Sequence, residues 1–183
     1  FDAAQAGSGA RAVLVTGEPG IGKTWVLARA AERLVATHGA RLLQGYALEM
    51  QGSPPYYPLS RAFGPALRDD TALKPLIDAR SVVASAGIGP PTAGLPEPPP
   101  IGVEGASLRV FDALADVCGR LADVQPLVLA LDDMQWAAAP TWDAVQYLLR
   151  TLRNAPLLVL VAAREEIMRE PGTAAGRAAA ELL

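Results

Sequence analysis

The sequence has very few of the residues that build disulfides, metal clusters and nucleophilic triads. Cys118 is the only cysteine and His38 the only histidine among the 183 residues. One cysteine excludes a disulfide framework and a thiolate metal cluster, and it indicates a reducing, cytoplasmic setting. One histidine, at the predicted end of a helix, leaves no metal cluster or Ser-His-Asp triad to assemble. The chemistry of this protein must therefore come from other residue types.

Positive charge and long apolar runs are also scarce. The formal net charge is −3, so the chain has no basic footprint for direct binding of nucleic acid. The longest apolar runs, PLVLAL and PLLVLVAA, are too short to cross a bilayer, and no signal peptide is visible. Because 51% of the residues are hydrophobic, the chain is expected to bury a substantial core. These features predict a globular domain without a membrane partner.

Chain length and proline content indicate how the sequence is organised. A length of 183 residues suits one domain, and a first residue other than methionine, Phe1, indicates a piece of a longer protein. Residues 1–10 are predicted to be a flexible lead-in, and residues 11–183 the domain itself. Residues 88–102 carry too many prolines for a helix or a central strand, so they are predicted to form a long exposed loop.

Apolar runs of strand length alternate along the chain with segments of helical periodicity. Strands are predicted at residues 11–16, 41–47, 126–133 and 156–164. Helices are predicted between Lys23 and Gly39, at 59–68, 71–85, 104–124 and 140–153, and near the end of the chain. This alternation predicts an α/β fold with a parallel sheet flanked by helices.

Helical spacing also predicts which side chains are buried. The residues expected on the inner face of the first helix are Leu27, Ala31, Leu34 and Val35. Cys118 falls on the apolar face of the helix at 104–124 and is expected to be a core residue. In this acidic chain the tryptophans are expected to pack in the protein rather than to stack on bases; they are Trp25, Trp136 and Trp142.

The stretch VTGEPGIGKT, at residues 15–24, carries the clearest chemical signal. It fits the P-loop spacing G-x-x-x-x-G-K-[ST] and stands between a predicted strand and a predicted helix. Glycines there allow successive amides to converge, and a helix starting at the lysine adds the positive end of its dipole. The motif therefore predicts bound phosphates with Mg²⁺. The candidate nucleotide-binding residues are Gly17, Glu18, Pro19, Gly20, Ile21, Gly22, Lys23 and Thr24.

Two aspartates follow the predicted strand at 126–133, and their position suggests a second part of the site. In open α/β sheets ligands gather beyond the carboxyl ends of the strands. Asp132 and Thr24 are therefore the candidate Mg²⁺ ligands, and Asp133 is the candidate group that orients or deprotonates an attacking water. The alternative is that the Asp-Asp pair only caps the turn after the strand.

Four segments in order carry a resemblance to a known family: GEPGIGKT, GYALEMQGSPPYYPL, LVLALDDMQWA and LLVLVAAR. From about Arg11 to Arg164 the chain resembles the STAND class of P-loop ATPases, signal-transduction ATPases with numerous domains. More narrowly, it is similar to the AAA-like ATPase domain of large LuxR-type bacterial transcription regulators. The resemblance implies strand order 1-4-3-2, with a fifth strand beyond the end of this fragment.

The resemblance also implies roles for individual residues. ATP would be the nucleotide, with Lys23 and Thr24 at the phosphates and Mg²⁺, Asp132 at Mg²⁺ and Asp133 at the water. Arg164, which ends the predicted strand at 156–164, would sense the γ-phosphate; the alternative is an ordinary surface charge. Two positions depart from the common motif, since Gln135 stands in place of a histidine and Ala138 in place of an acid.

The function expected from this resemblance is an ATP-binding, slowly hydrolysing regulatory switch in a multidomain bacterial signalling protein or transcription regulator. Its partners would be ATP and ADP, further domains of the same polypeptide such as a DNA-binding effector domain, and other copies in nucleotide-dependent self-association. Two alternatives remain open: a P-loop small-molecule kinase, and a nucleotide-dependent interaction module without significant turnover.

Overall fold

A computed structural model describes residues 9–50, 53–89, 103–170 and 172–182. The strands are β1 (Arg11–Gly17), β2 (Arg41–Tyr46), β3 (Leu127–Asp132) and β4 (Leu157–Arg164). The helices are α1 (Lys23–His38), α2 (Tyr57–Asp69), α3 (Ile77–Ser85), α4 (Val103–Ala122), α5 (Ala139–Thr151), α6 (Glu165–Met168) and α7 (Ala174–Leu182). Among the described residues, no helix has the length and apolar character needed to cross a membrane.

The four strands form one sheet with the order β1-β4-β3-β2, and every pairing in it is parallel. The predicted α/β class, the parallel sheet and the order 1-4-3-2 are therefore confirmed. Parallel strands end on the same edge of their sheet. Three candidate parts of the site lie at strand ends on this edge: the glycine loop, Asp132–Asp133 and Arg164. Gly17 pairs with Arg164 in the register of β1 and β4, which places the start of the glycine loop beside Arg164.

Helices cover both faces of the sheet, and the alternation of side chains along the central strands separates two apolar clusters. Leu129 and Val159 belong to the cluster that includes residues of α2, α3, α4, α5 and α7. Val128 and Leu160 point to the other face and pack with α1. Strands buried on both faces need a continuous apolar sequence, which is why β3 and β4 stood out as uninterrupted runs.

Some of the residues that were predicted to be buried are buried in the structure, and others are not. Leu27 and Ala31 of α1 are buried, whereas Val35 is 38% exposed because it lies beyond the edge of the face that meets the sheet. Cys118 is fully buried, as predicted, and burial raises the pKa of its thiol to about 12. Ile88, assigned to an exposed loop, is instead fully buried among apolar side chains.

One predicted helix is interrupted. The segment 71–85 forms a 3₁₀ turn at Thr71–Leu73 and then the separate helix α3. Pro75 lies between them, and a proline removes a backbone donor and disfavours helical geometry at the residue before it. Residues 90–102 of the proline-rich segment and residues 1–8 of the lead-in lie outside the described residues, so those predictions stay untested.

Candidate functional site

The glycine loop connects β1 to α1 in the geometry that a phosphate cradle requires. Gly20 has φ 78° and Gly22 has φ 101°, a left-handed backbone that side chains with a Cβ rarely adopt. A Cβ at either position would meet no atom within 4 Å, so the requirement for glycine is conformational rather than steric. Gly22 caps α1, whose 16 residues direct their first backbone N–H groups toward the loop.

Lys23 folds back over the loop and holds it closed. Its Nζ donates hydrogen bonds to the carbonyl oxygens of Gly17 at 3.1 Å and Glu18 at 2.8 Å. A lysine ammonium has three N–H donors, so one remains for an anion beside those two bonds. The half-buried position of Lys23 keeps this positive charge beside the helix N-terminus rather than out in solvent.

The two aspartates after β3 take different positions. Asp132 ends the strand, is half-buried, and accepts a hydrogen bond on Oδ1 from the backbone N–H of Asp133 at 2.8 Å. Asp133 is exposed and has φ 52°, a left-handed conformation that aspartate tolerates better than most residues. The two aspartates therefore differ both in exposure and in backbone conformation.

Arg164 lies at the end of β4 with its side chain held on neighbouring groups. Its guanidinium carbon is 5.2 Å from the centroid of the Trp136 ring, within cation–π distance. One guanidinium nitrogen, Nη2, lies 3.8 Å from Oε1 of Glu49. Glu165, the adjacent acid in the sequence, pairs instead with Arg169 at 2.5 Å. Arg164 is therefore a half-buried, oriented cation rather than one neutralised by its sequence neighbour.

These elements surround one pocket of about 520 Å³, a size typical of small-molecule sites. Its lining residues are Pro19, Gly20, Gly22, Lys23, Thr24, Trp25, Ala28, Asp133 and Arg164. Most of the predicted site residues are thus brought together. Four predicted residues are not part of the lining: Gly17, Glu18, Ile21 and Asp132. Gly17 and Glu18 contribute by holding Lys23, whereas the Ile21 side chain is 70% exposed at the tip of the loop.

Two residues that line the pocket, Trp25 and Ala28, were not predicted from the sequence to belong to the site. The position predicted for Trp25 was also wrong. Trp25 was expected to pack in the protein, but it is 68% exposed in the first turn of α1 and lines the pocket. Ala28 lies one helical turn after Thr24, a spacing that places both on the same side of α1. Trp142 is buried, as predicted, and Trp136 is half-buried against Arg164.

The predicted Mg²⁺ ligands, Thr24 and Asp132, both carry oxygen donors. No group of three or more His, Cys, Asp or Glu side chains in the described ranges could hold a metal ion by itself. Thr24 and Asp132 supply hydroxyl and carboxylate oxygens, which are hard ligands of the kind that Mg²⁺ prefers. Magnesium is usually held by few protein ligands together with substrate phosphates and waters, so this sparse pair fits the ion.

Comparison with sequence profiles of protein families matches residues 1–160 to the AAA ATPase domain. This chain belongs to that family. None of the curated proteins matches the sequence. This membership agrees with a P-loop that follows the first strand of an α/β fold. The chain is therefore an AAA-type ATPase domain of the P-loop NTPases.

Two solved structures of the Aeropyrum pernix ORC2 protein are similar to this AAA ATPase domain. The structure of its ADPNP-ADP complexes has 18% sequence identity to this domain and a TM-score of 0.49. The match covers 100% of this chain and 42% of the ORC2 chain. The ADP form has 20% identity and a TM-score of 0.45, again with complete coverage of this chain and 43% of the other. The domain thus spans less than half the length of ORC2.

Proposed function

We propose that this AAA ATPase domain binds ATP with Mg²⁺ and hydrolyses it slowly, as a regulatory switch in a multidomain bacterial signalling protein or transcription regulator. The observation that carries the proposal is that Lys23, Asp133 and Arg164 all line the same pocket. A phosphate cradle, a carboxylate and an oriented guanidinium are the groups that a nucleotide-dependent phosphoryl transfer needs.

The glycine loop would hold the phosphates. Backbone N–H groups at the start of α1, the helix dipole and the Lys23 ammonium all place positive potential at one point. Thr24 and Asp132 would hold Mg²⁺, which when bound would neutralise phosphate charge. The lining of the pocket by Thr24 supports this assignment, and Asp132 at the end of β3 lies one residue from the lining residue Asp133.

Asp133 is the proposed base for hydrolysis. Its exposed carboxylate lines the pocket, so it can accept the proton of a water whose oxygen attacks the terminal phosphorus. The bond from that phosphorus to the ADP oxygen breaks as the new bond to water forms. An aspartate side chain is one methylene shorter than a glutamate, and this shorter reach supports slow turnover.

Arg164 is the proposed sensor of the terminal phosphate. Its guanidinium is held on Trp136 and faces the pocket from the strand beside β1. Only ATP carries the phosphate that such a contact would recognise, and a switch requires a ligand with different affinities for the two states. The order of the four family-like segments supports a STAND-type domain like that of LuxR-type regulators.

Arg164→Ala is expected to weaken the binding of a non-hydrolysable ATP analogue by about tenfold or more, because a charge-assisted hydrogen bond contributes about 1.5–3 kcal/mol. Affinity for ADP should barely change. Parallel calorimetric titrations of parent and variant with both nucleotides measure the difference. Arg169→Ala is the matched control, since Arg169 is an exposed arginine of the following turn that pairs with Glu165. Equal losses for both nucleotides would make Arg164 an ordinary surface charge.

The proposal as a whole is tested on the unmodified chain. Titration with Mg-ATP should show saturable binding, and phosphate should be released in the absence of any added acceptor. Release that requires a small-molecule acceptor would indicate a kinase. Binding without release would indicate a nucleotide-dependent interaction module. A chain that binds no nucleotide would refute the assignment of the pocket.

A further inference from the structure

Gln135 connects two strand ends that border the pocket. It lies on the 3₁₀ turn Met134–Trp136 between β3 and α5. Its Nε2 donates a hydrogen bond to Oδ1 of Asp133 at 3.0 Å. Its Oε1 accepts a hydrogen bond from the backbone N–H of Arg164, also at 3.0 Å. One side-chain amide thus contacts both the proposed base and the backbone of the proposed sensor, which are far apart in the sequence.

The chemistry of the two partners determines which way this amide faces. The Asp133 carboxylate can only accept and the Arg164 backbone N–H can only donate, so a reversed amide would lose both bonds. Gln135 is only 9% exposed, so water cannot readily replace a lost partner. The donor end of the carboxamide thus faces an acceptor, and its acceptor end faces a donor. A side chain that served only for packing would not need these two partners.

We propose that Gln135 is a positioning residue for ATP hydrolysis, with a separate task at each end of its amide. The Nε2 end orients the Asp133 carboxylate toward the attacking water, and the Oε1 end fixes the backbone from which the Arg164 guanidinium extends. Gln135 is not one of the residues that line the pocket, so it acts through these two residues rather than on the nucleotide. This inference rests on the proposed function, because it assigns a role within that reaction.

Two substitutions separate the two ends. Gln135→Glu keeps an oxygen acceptor for the Arg164 N–H, but it removes the donor and faces Asp133 with a like charge. Gln135→Met keeps the length and much of the volume of the side chain and removes both hydrogen-bonding groups. The first variant should therefore disturb only the base, whereas the second should disturb the base and the sensor.

Gln135→Glu is expected to lower kcat by about ten- to a hundredfold, the effect of losing one hydrogen bond to a charged group. Its KM and its preference for an ATP analogue over ADP should stay within about twofold of the parent values. Gln135→Met should lower kcat similarly and also reduce the preference for the ATP analogue, as Arg164→Ala does. Steady-state phosphate release measures kcat and KM, and calorimetric titration with each nucleotide measures the preference.

Gln125→Met is the matched control. Gln125 also donates from Nε2, to the carbonyl oxygen of Gly39 at 3.2 Å, but it precedes β3 at the opposite edge of the sheet. This variant should keep the parent kcat and nucleotide preference. Thermal unfolding of all variants shows whether any of them loses stability rather than position.

Three results would overturn the inference. The first is a kcat of Gln135→Glu within about twofold of the parent, which decides the question even if Gln135→Met does not fold. The second is an equal loss of affinity for ADP and the ATP analogue in both variants together with a lower Tm, as a packing role would produce. The third is a parent chain that releases no phosphate; this refutes the ATPase proposal itself and is recognised before any variant is compared.

Discussion

Lys23→Ala is expected to weaken binding of Mg-ATP by about a hundredfold or more while the protein stays folded. The Lys23 N–H that is not bonded to the loop carbonyls can donate to a phosphate oxygen, and one such charge-assisted bond is worth about 1.5–3 kcal/mol. In this domain the same ammonium also holds the carbonyls of Gly17 and Glu18, so its removal loosens the loop that directs the amides. Calorimetric titration with Mg-ATP measures the loss, and circular dichroism checks the fold.

Lys74 provides the matched control, because it is the only other lysine in the sequence and is exposed beside the 3₁₀ turn at Thr71–Leu73. Lys74→Ala removes the same charge from a place distant in sequence from the glycine loop, and it should bind Mg-ATP like the parent. If Lys23→Ala also kept the parent affinity, the glycine loop would not be the phosphate site. Equal losses in the two variants would instead reflect net charge alone.

Asp133→Asn is expected to slow ATP hydrolysis by about 10²- to 10⁴-fold and to leave ATP binding nearly unchanged. An amide cannot take up the proton of the attacking water, and general-base contributions are of that size. Asparagine tolerates the left-handed backbone at φ 52° and still offers Oδ1 to Gln135, so the local structure should persist. Phosphate release per turnover, at saturating ATP, measures the effect.

Asp123→Asn tests whether replacing any exposed aspartate by asparagine slows ATP hydrolysis. Asp123 follows α4 and lies before β3, at the edge of the sheet opposite the pocket. This variant should hydrolyse ATP at the parent rate. A parent-like rate in Asp133→Asn would show that Asp133 is not the base. A joint loss of binding and hydrolysis would point to a phosphate or metal contact instead.

Local patterns in the sequence determined much of the fold. Before their last residues, Asp132 and Arg164, β3 and β4 are apolar at every position because both faces of those strands are covered, so their bounds were predicted within a residue. Strand β1, the glycine motif and the start of α1 are also local, since each depends on neighbours along the chain. The strand order came from the resemblance to a known family, and the sheet confirms it.

Other features depended on packing between distant segments. Val35 and Trp25 have the apolar character of buried residues, but the width of the face that α1 presents to the sheet leaves both exposed. Ile88 stands beside prolines that are typical of loops, yet it is buried in the apolar cluster of α2 and α3. Side-chain burial depends on what lies opposite, and a single helix or loop does not contain that information.

The sequence by itself determined the chemistry of the candidate site: a glycine loop with Lys23 and Thr24, two aspartates after a strand, and an arginine after another. Only the tertiary structure decided that Asp133 rather than Asp132 lines the pocket and that Gln135 connects Asp133 to Arg164. The residue types of a motif meet local requirements of backbone conformation and charge, so the sequence alone reveals them. The Gln135 link joins residues 29 positions apart, and it exists only because β3 and β4 end side by side in one parallel sheet.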